Sequence, residues 1–277
     1  MQKKHIVLLC CALCAAAVLY AGGKKEPGSP NEAPGTDNSL STILSKKKLV
    51  MGLDDSFPPM GYRNDNNEIV GYDVDLAKEV AKRIGVELVL QPIDWNAKEQ
   101  ELSTGEIDCI WNGFTITRER AEVLNFSKPY LRNAQVVVVR GNSSYTTLQD
   151  LAGKTAGLQA GSSSVDALDA TPELKASLKE VIEYKDYLTA LMDLDTGGVD
   201  AIIIDLVVAN DNIKRSGKSF RLLDATLVPE EFGIGFRKND RALRDKVQET
   251  LEAMAKDGTV NQITVKWFGS DISIIGK

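Results

Sequence analysis

From Lys48 onward, short apolar runs alternate with segments of helical period, and this alternation constrains the fold more than any other feature of the chain. Lys48–Leu53 reads as a strand, and Asp73–Ile84 reads as a helix with Asp73 placed to cap its N-terminus, Ala77, Val80, Ala81 and Ile84 on one face and Gly85 at its end. Val86–Gln91, Ile107–Trp111, Lys154–Leu158, Val181–Tyr184 and Ala201–Ile204 continue the strand rhythm. Strands separated by helices join in parallel and must be covered on both faces, so the chain is expected to be α/β. Its 277 residues suggest two domains, or one large one.

A faint internal echo favours two. Ser103-Thr104-Gly105-Glu106-Ile107-Asp108 runs into an apolar strand, as does Asp195-Thr196-Gly197-Gly198-Val199-Asp200. Five residues beyond each Asp, at Gly113 and Asp205, the chain reaches the C-terminal end of the strand, the edge where open α/β sheets bind ligands. The same pattern is also common helix-to-strand turn chemistry, so the echo alone is weak.

The first residues are set apart from the fold. Lys3 and Lys4 precede an apolar run from Ile6 to Tyr20, and Ala21 leads into a polar stretch, the outline of a secretory signal peptide over 1–21. A membrane anchor is the other reading, but ~15 apolar residues fall short of the ~20 a span needs. Cys10, Cys11 and Cys14 offer a lipid anchor as an alternative, although Leu13 before Cys14 is a poor match to the small residue that lipidation requires. Cleavage near Ala21 is preferred, which leaves Cys109 as the sole thiol and a fold without intramolecular disulfides. Residues 22–45, rich in Gly, Pro, Ser and Asn, are expected to form a disordered tether. Losing two lysines and no acid moves the net charge from −6 to −8, which argues against nucleic acid as a partner.

Much chemistry is missing. The one histidine, His5, lies within the signal, which excludes Ser-His-Asp and Cys-His catalysis and His-ligated metal in the mature chain. Gly153-Lys154-Thr155 resembles the end of a phosphate loop, but Leu148 stands where the earlier glycine is required. No cofactor or metal is expected.

Five motifs in order carry a resemblance. They are Gly52-Leu53-Asp54-Asp55-Ser56-Phe57-Pro58-Pro59-Met60 with Gly71-Tyr72-Asp73-Val74-Asp75-Leu76-Ala77; Asn112-Gly113-Phe114-Thr115-Ile116-Thr117-Arg118-Glu119-Arg120 running to Asn125-Phe126-Ser127-Lys128-Pro129-Tyr130; Gln159-Ala160-Gly161-Ser162-Ser163; Asp200-Ala201 up to Asp205; and Asp257-Gly258-Thr259 with Lys266-Trp267-Phe268-Gly269. Together the chain resembles, over residues 46–270, the polar amino acid family of bacterial extracellular (periplasmic) solute-binding proteins that serve ABC importers. The resemblance implies a type II periplasmic-binding-protein (Venus flytrap) fold with parallel-rich sheets and helices on both faces. Lobe one would comprise 46–132 and 230–277, lobe two 133–229, with hinge strands near Asn133–Val139 and Leu227–Gly233.

It also implies a ligand site. Arg120 matches the clamp for an α-carboxylate, a task suited to a planar, permanently charged donor. Asp205 matches the acceptor for the α-ammonium, from the opposite lobe. Thr115, Gly113 and Ser163 would supply further polar contacts, and Phe57 and Trp95 the aromatic walls. Asp54, Asn112 and Gln159 are candidates for the side-chain tip. Taken without the resemblance, Arg120 reads as a surface helix charge, Asp205 as a helix N-cap, and Phe57 and Trp95 as core.

The expected function is capture of a polar L-amino acid, uncharged or basic given Asp54, by domain closure, without catalysis. The expected partners are that ligand and a membrane-embedded ABC permease, with the protein a monomer acting outside the cytoplasmic membrane. The alternatives are a cyclohexadienyl dehydratase-like enzyme on the same fold, and a component that presents ligand to a sensor.

Overall fold

The computed structural model describes residues 36–277, so the expected signal at 1–21 and most of the expected tether lie outside the described residues. The tether reading fails at its C-terminal end. Ser39–Lys46 is a helix with Ile43 buried, and the Asp37 carboxylate fastens its start by accepting from the Ser39 and Ala242 N–H groups. One apolar residue per turn, set into the groove beside helix Arg241–Lys256, orders a segment that composition alone marks as polar.

Two five-stranded sheets form the cores of two lobes, and they share one topology. In the first, the spatial order is Glu87–Pro92, Lys48–Leu53, Cys109–Ile110, Gly235–Arg237, Leu124–Phe126. In the second it is Glu180–Tyr184, Thr155–Gln159, Ala201–Asp205, Leu131–Arg140, Phe220–Phe232. In each sheet the first three strands are parallel and the fourth runs antiparallel to the third.

The echo between Asp108 and Asp200 is a repeated structural device. Asp108 accepts from the Val50 N–H at 2.7 Å, and Asp200 accepts from the Thr155 N–H at 3.1 Å, each joining its strand to the neighbouring parallel strand. An arginine completes each unit. Arg237 donates to the Leu102 and Ile107 carbonyls at 3.0 and 2.8 Å, and its guanidinium lies 3.8 Å from Asp108. Arg140 donates to the Leu194 and Val199 carbonyls, both at 2.7 Å, and lies 3.7 Å from Asp200. In both lobes the arginine bonds one carbonyl in the last turn of a helix that ends at Gly105 or Gly197 and a second carbonyl just beyond that glycine.

The lobes are joined by Leu131–Arg140 and Phe220–Phe232, which pair antiparallel from Leu131 opposite Phe232 to Arg140 opposite Phe220. Their near ends are tied into lobe one by bridges from Phe232 to Thr115 and from Leu131 to Ser273. The C-terminal ends of the parallel strands of both sheets meet at this crossing, which is where the candidate residues converge.

The paired clamps yield a comparison. Asp108→Ala is expected to cost about 2 kcal/mol in urea denaturation, since it strands a strand N–H and the Lys46 ammonium together. Asp200→Ala should cost less, because its side chain is 27% exposed against 5% for Asp108 and water can replace it. Equal losses would contradict this account of the clamps.

Candidate functional site

Each lobe delivers its polar groups from strand ends and helix starts. In lobe one the chain leaves strand Cys109–Ile110 and turns at Gly113, whose φ of +55° and tight packing against Phe57 and Phe232 exclude any side chain. Asp73 fixes this turn. Its Oδ2 accepts from the Gly113 N–H at 2.7 Å and from the Tyr130 hydroxyl at 2.9 Å. Sequence reading gave Asp73 the helix N-cap. The N-cap is Gly71, and the Asp73 side chain reaches the turn instead.

Thr117 then caps helix Arg118–Val123 by accepting from the Arg120 N–H. Arg120, on the first turn, lays its guanidinium 4.7 Å from the Phe114 ring centre. It donates to the Thr115 carbonyl at 3.0 Å and, across the cleft, to the Gly161 carbonyl at 3.1 Å. Its nearest carboxylate is Glu99, 3.8 Å away. Burial lowers its pKa, yet an arginine remains charged.

In lobe two, Ser162 caps helix Ser163–Asp169, and Ser163 meets Thr115 across the cleft at 3.1 Å. Asp205 ends strand Ala201–Asp205 and precedes helix Leu206–Arg215, but its side chain does not cap that helix. It is buried and accepts from Asn133 Nδ2 at 2.6 Å and Gln135 Nε2 at 3.0 Å. Burial, and next the Glu230 carboxylate, raise its pKa well above the ordinary range.

Eight of the ten candidates, Phe57, Trp95, Gly113, Thr115, Arg120, Gln159, Ser163 and Asp205, line one cavity together with Ser162. It encloses about 10 Å³, room for no more than about one water molecule. Polar groups of the two lobes satisfy one another around it. Besides the Thr115–Ser163 and Arg120–Gly161 bonds, Lys98 donates to the Gly161 carbonyl at 2.8 Å and Gln159 donates to Asp54 at 2.7 Å. Phe57 packs toward Tyr187 at 5.8 Å, and Trp95 meets Phe114 edge-on at 5.7 Å.

The remaining two candidates sit elsewhere. Asp54 lines an adjoining cavity of about 260 Å³, which shares the Trp95 wall and carries Asp55, Asp94, Asp186 and Lys185. Burial pushes Asp54 up to about 6, and Asp186 and Asp55 add to the rise. Asn112 lines neither cavity. Its Oδ1 accepts from the Asp54 N–H at 3.1 Å, and its amide nitrogen packs over Gly61, so it supports the backbone that presents Asp54. A surface cavity of about 770 Å³ between Lys128, Arg132, Glu231 and the C-terminal residues is lined by none of these groups. Among the described residues no cluster of His, Cys, Asp and Glu could hold a metal ion.

A cation, Arg120, and a buried carboxylate, Asp205, thus line one cavity without being paired to each other. The family model for bacterial extracellular solute-binding proteins, family 3, matches residues 49–270. This chain belongs to that family. It is 30% identical to the L-cystine-binding protein TcyJ of Escherichia coli over 84% of this chain and 87% of the relative. It is 31% identical to the arginine-binding extracellular protein ArtP of Bacillus subtilis over 96% of this chain and 98% of the relative. A solved ABC uptake transporter substrate-binding protein from Streptococcus pneumoniae with bound histidine superposes with a TM-score of 0.83 at 39% identity, covering 86% of this chain and 99% of that one.

Within this family 3 protein, sequence reasoning missed Glu230, Asn133, Gln135 and Lys98. The first three lie on the crossing strands, where polar residues at alternate positions read as solvent-facing. Asn133 and Gln135 had one signal, an amide two residues from another inside an otherwise apolar strand. Lys98 had none: its position beside an acid in a short helix matches any surface lysine. It is buried, and burial followed by Arg120 lowers its pKa to about 8.

Asp73 provides a test of how the site is held. Burial pushes its carboxyl up to about 7, well above the ordinary carboxylate range. An acid raised in the folded state favours folding while it is protonated. That contribution is complete below about pH 4 and is lost as pH rises to about 7, at up to about 1.4 kcal/mol per pH unit. In urea denaturation over that window, the stability of Asp73→Asn should therefore fall less steeply with pH than that of wild type. Parallel profiles would contradict the burial argument.

Proposed function

We propose that this protein is the substrate-binding component of an ABC-type amino acid importer, exported by its N-terminal signal and acting outside the cytoplasmic membrane. The observation that carries the reading is the charge layout. Arg120 is bound only to carbonyls within 3.5 Å, and Asp205 only to neutral amides, so neither neutralises the other. A zwitterion laid between them would pair with both: its carboxylate with Arg120 and the helix start at Ser163, its ammonium with Asp205 and the backbone at Gly113. The aromatic walls Phe57 and Trp95 would flank its side chain, and the acidic cavity around Asp54 favours a polar or basic tip over an acidic one.

Closure follows from the same layout. The existing cross-lobe bonds must part to admit a ligand, and a zwitterion restores them through itself. Only the closed form satisfies both of its ends, so binding shifts the lobes toward closure. The lobes are taken as 46–132 with 230–277, and 133–229. Among the described residues no helix is long and apolar enough to cross a membrane, and the membrane-embedded permease is the partner the function requires. A monomer suffices, since both halves of the site come from one chain.

The competing enzyme reading has one observation in its favour, a carboxylic acid held above its ordinary range opposite an arginine. That acid faces amides and a second carboxylate, an environment equally suited to an ammonium.

Thermal-shift screening against the common L-amino acids and L-cystine is expected to single out an uncharged polar or basic ligand. The shift should reach about 2.7 kcal/mol of stabilisation at 100 times the dissociation constant. Solution scattering should show compaction with that ligand, and mass spectrometry should recover it unchanged after prolonged incubation. A preference for glutamate would mean that Asp54 does not meet the side chain, and chemical conversion of the ligand would favour the dehydratase.

A further inference from the structure

The crossing strands carry a feature that the zwitterion reading does not need. Strand Leu131–Arg140 lies between Ala201–Asp205 on one side and Phe220–Phe232 on the other, with Asp205 opposite Gln135 and Glu230 opposite Asn133. Asn133 and Gln135 are two residues apart and share one face of the strand. Each of their amide nitrogens donates to both acids. Asn133 Nδ2 lies 2.6 Å from Asp205 Oδ1 and 3.0 Å from Glu230 Oε2, and Gln135 Nε2 lies 3.0 and 3.1 Å from the same two oxygens. Glu230 also accepts from Thr115 of lobe one at 3.1 Å. Two carboxylates from different strands are therefore held against the same pair of donors, and one of them, Asp205, lines the cavity.

We propose that Glu230 is a second acceptor for the ligand's ammonium, and that the Asp205–Glu230 pair carries one proton which it surrenders to solvent when an ammonium binds between them. The inference rests on the amino acid reading given above. Neutral amides cannot cancel two like charges held this close, and two such carboxylates share a proton. Burial and the Glu230 charge, which raise Asp205 well above the ordinary range, act in the same direction. A primary ammonium brings a full positive charge and three N–H donors. On its arrival the carboxylic O–H bond breaks, the proton leaves to water or buffer, and N–H···O bonds form to both acids. No other bond changes and the ammonium keeps its protons.

The other groups around the pair do not supply that charge. From lobe one it is faced by the Thr115 hydroxyl and, farther off, by the Arg120 guanidinium, which is committed to carbonyls. From lobe two it is faced by the Ser163 hydroxyl, which meets both Gln135 and Thr115, and by the buried Tyr187 phenol, whose pKa burial raises first and Asp205 and Glu230 raise further. Among the described residues, no lysine is hydrogen-bonded to either acid.

The test is calorimetric titration of wild type and Glu230→Gln with L-arginine, L-glutamine, L-histidine and L-cystine. Each titration is run at about pH 7.5 in phosphate and in Tris, whose ionisation heats differ, and affinity is then followed between about pH 5 and pH 8 in buffers suited to each pH. Wild type is expected to release up to one proton per ligand, and its affinity to rise by up to about tenfold per pH unit where release is complete. Glu230→Gln, with its fold checked by circular dichroism, is expected to release less and to bind with a shallower pH dependence, since burial still acts on Asp205 while the Glu230 charge does not. Glu230→Ala serves the same comparison if the Gln variant does not fold. Binding by wild type with no proton release would overturn the inference and leave the amino acid reading standing. Release that persists unchanged in both Glu230 variants would show that Glu230 has no part in holding the proton, burial of Asp205 or of Asp54 sufficing, and would overturn it too. If none of the four compounds binds wild type, the amino acid reading falls and the inference with it.

Discussion

Arg120 and the Asp205 carboxylate are withdrawn from bulk water at one cavity, and they are not paired with each other. Desolvating a charge without a counter-charge costs several kcal/mol, so such an arrangement persists only where neutral dipoles partly compensate. Here the compensation comes from carbonyls on the Arg120 side and from Asn133 and Gln135 on the acidic side. The rest of the molecule serves to hold these groups at a fixed separation. Gly113 is kept in its left-handed turn by Asp73, Arg120 is levelled on Phe114, and the acids are set by strand register.

The same constraint explains why the site is split between lobes. A cation and two acids on one rigid surface would collapse into a salt bridge. Anchored in separate lobes that are joined by two long strands, they are kept apart by the fold. The contacts that close the cleft, Thr115 with Ser163, Lys98 and Arg120 with the Gly161 carbonyl, and Gln159 with Asp54, are single hydrogen bonds at its rim and floor. Each is worth about 1 kcal/mol net, so closure is held lightly enough for a ligand to tip it.

The α/β layout was legible in the sequence because apolar runs bounded by Gly-containing turns leave little freedom. Asp108 and Asp200 announced the shared topology of the lobes, though the arginines that complete each unit lie far away in the chain and gave no local sign. The two ends of the site were legible through motifs, Asn112–Arg120 on one side and Gln159–Ser163 with Asp205 on the other. What escaped was set by tertiary register. Glu230 joins Asp205 only because one strand lies between their two strands, and Asp73 reaches Gly113 across 40 residues of chain. Helix Ser39–Lys46 escaped for a similar reason, since its single buried side chain, Ile43, matters only against the helix it packs on. Asn112 was expected near the ligand from the motif it belongs to, but it stands at a strand end, where backbone groups need partners, and the Asp54 N–H claims it.

The central claim is that Arg120 and Asp205 hold opposite ends of one zwitterion. Titrating wild type, Arg120→Ala and Asp205→Ala with L-arginine, its amide and its deaminated analogue measures this directly. Each substitution should weaken L-arginine by about 2–5 kcal/mol, as expected when one partner of a buried charge contact is removed. The losses should also be selective: the amide should bind much more weakly than L-arginine to wild type but little more weakly to Arg120→Ala, and the deaminated analogue should behave the same way with Asp205→Ala. Additive losses in every combination, or a mutant that binds L-arginine as tightly as wild type does, would contradict the assignment.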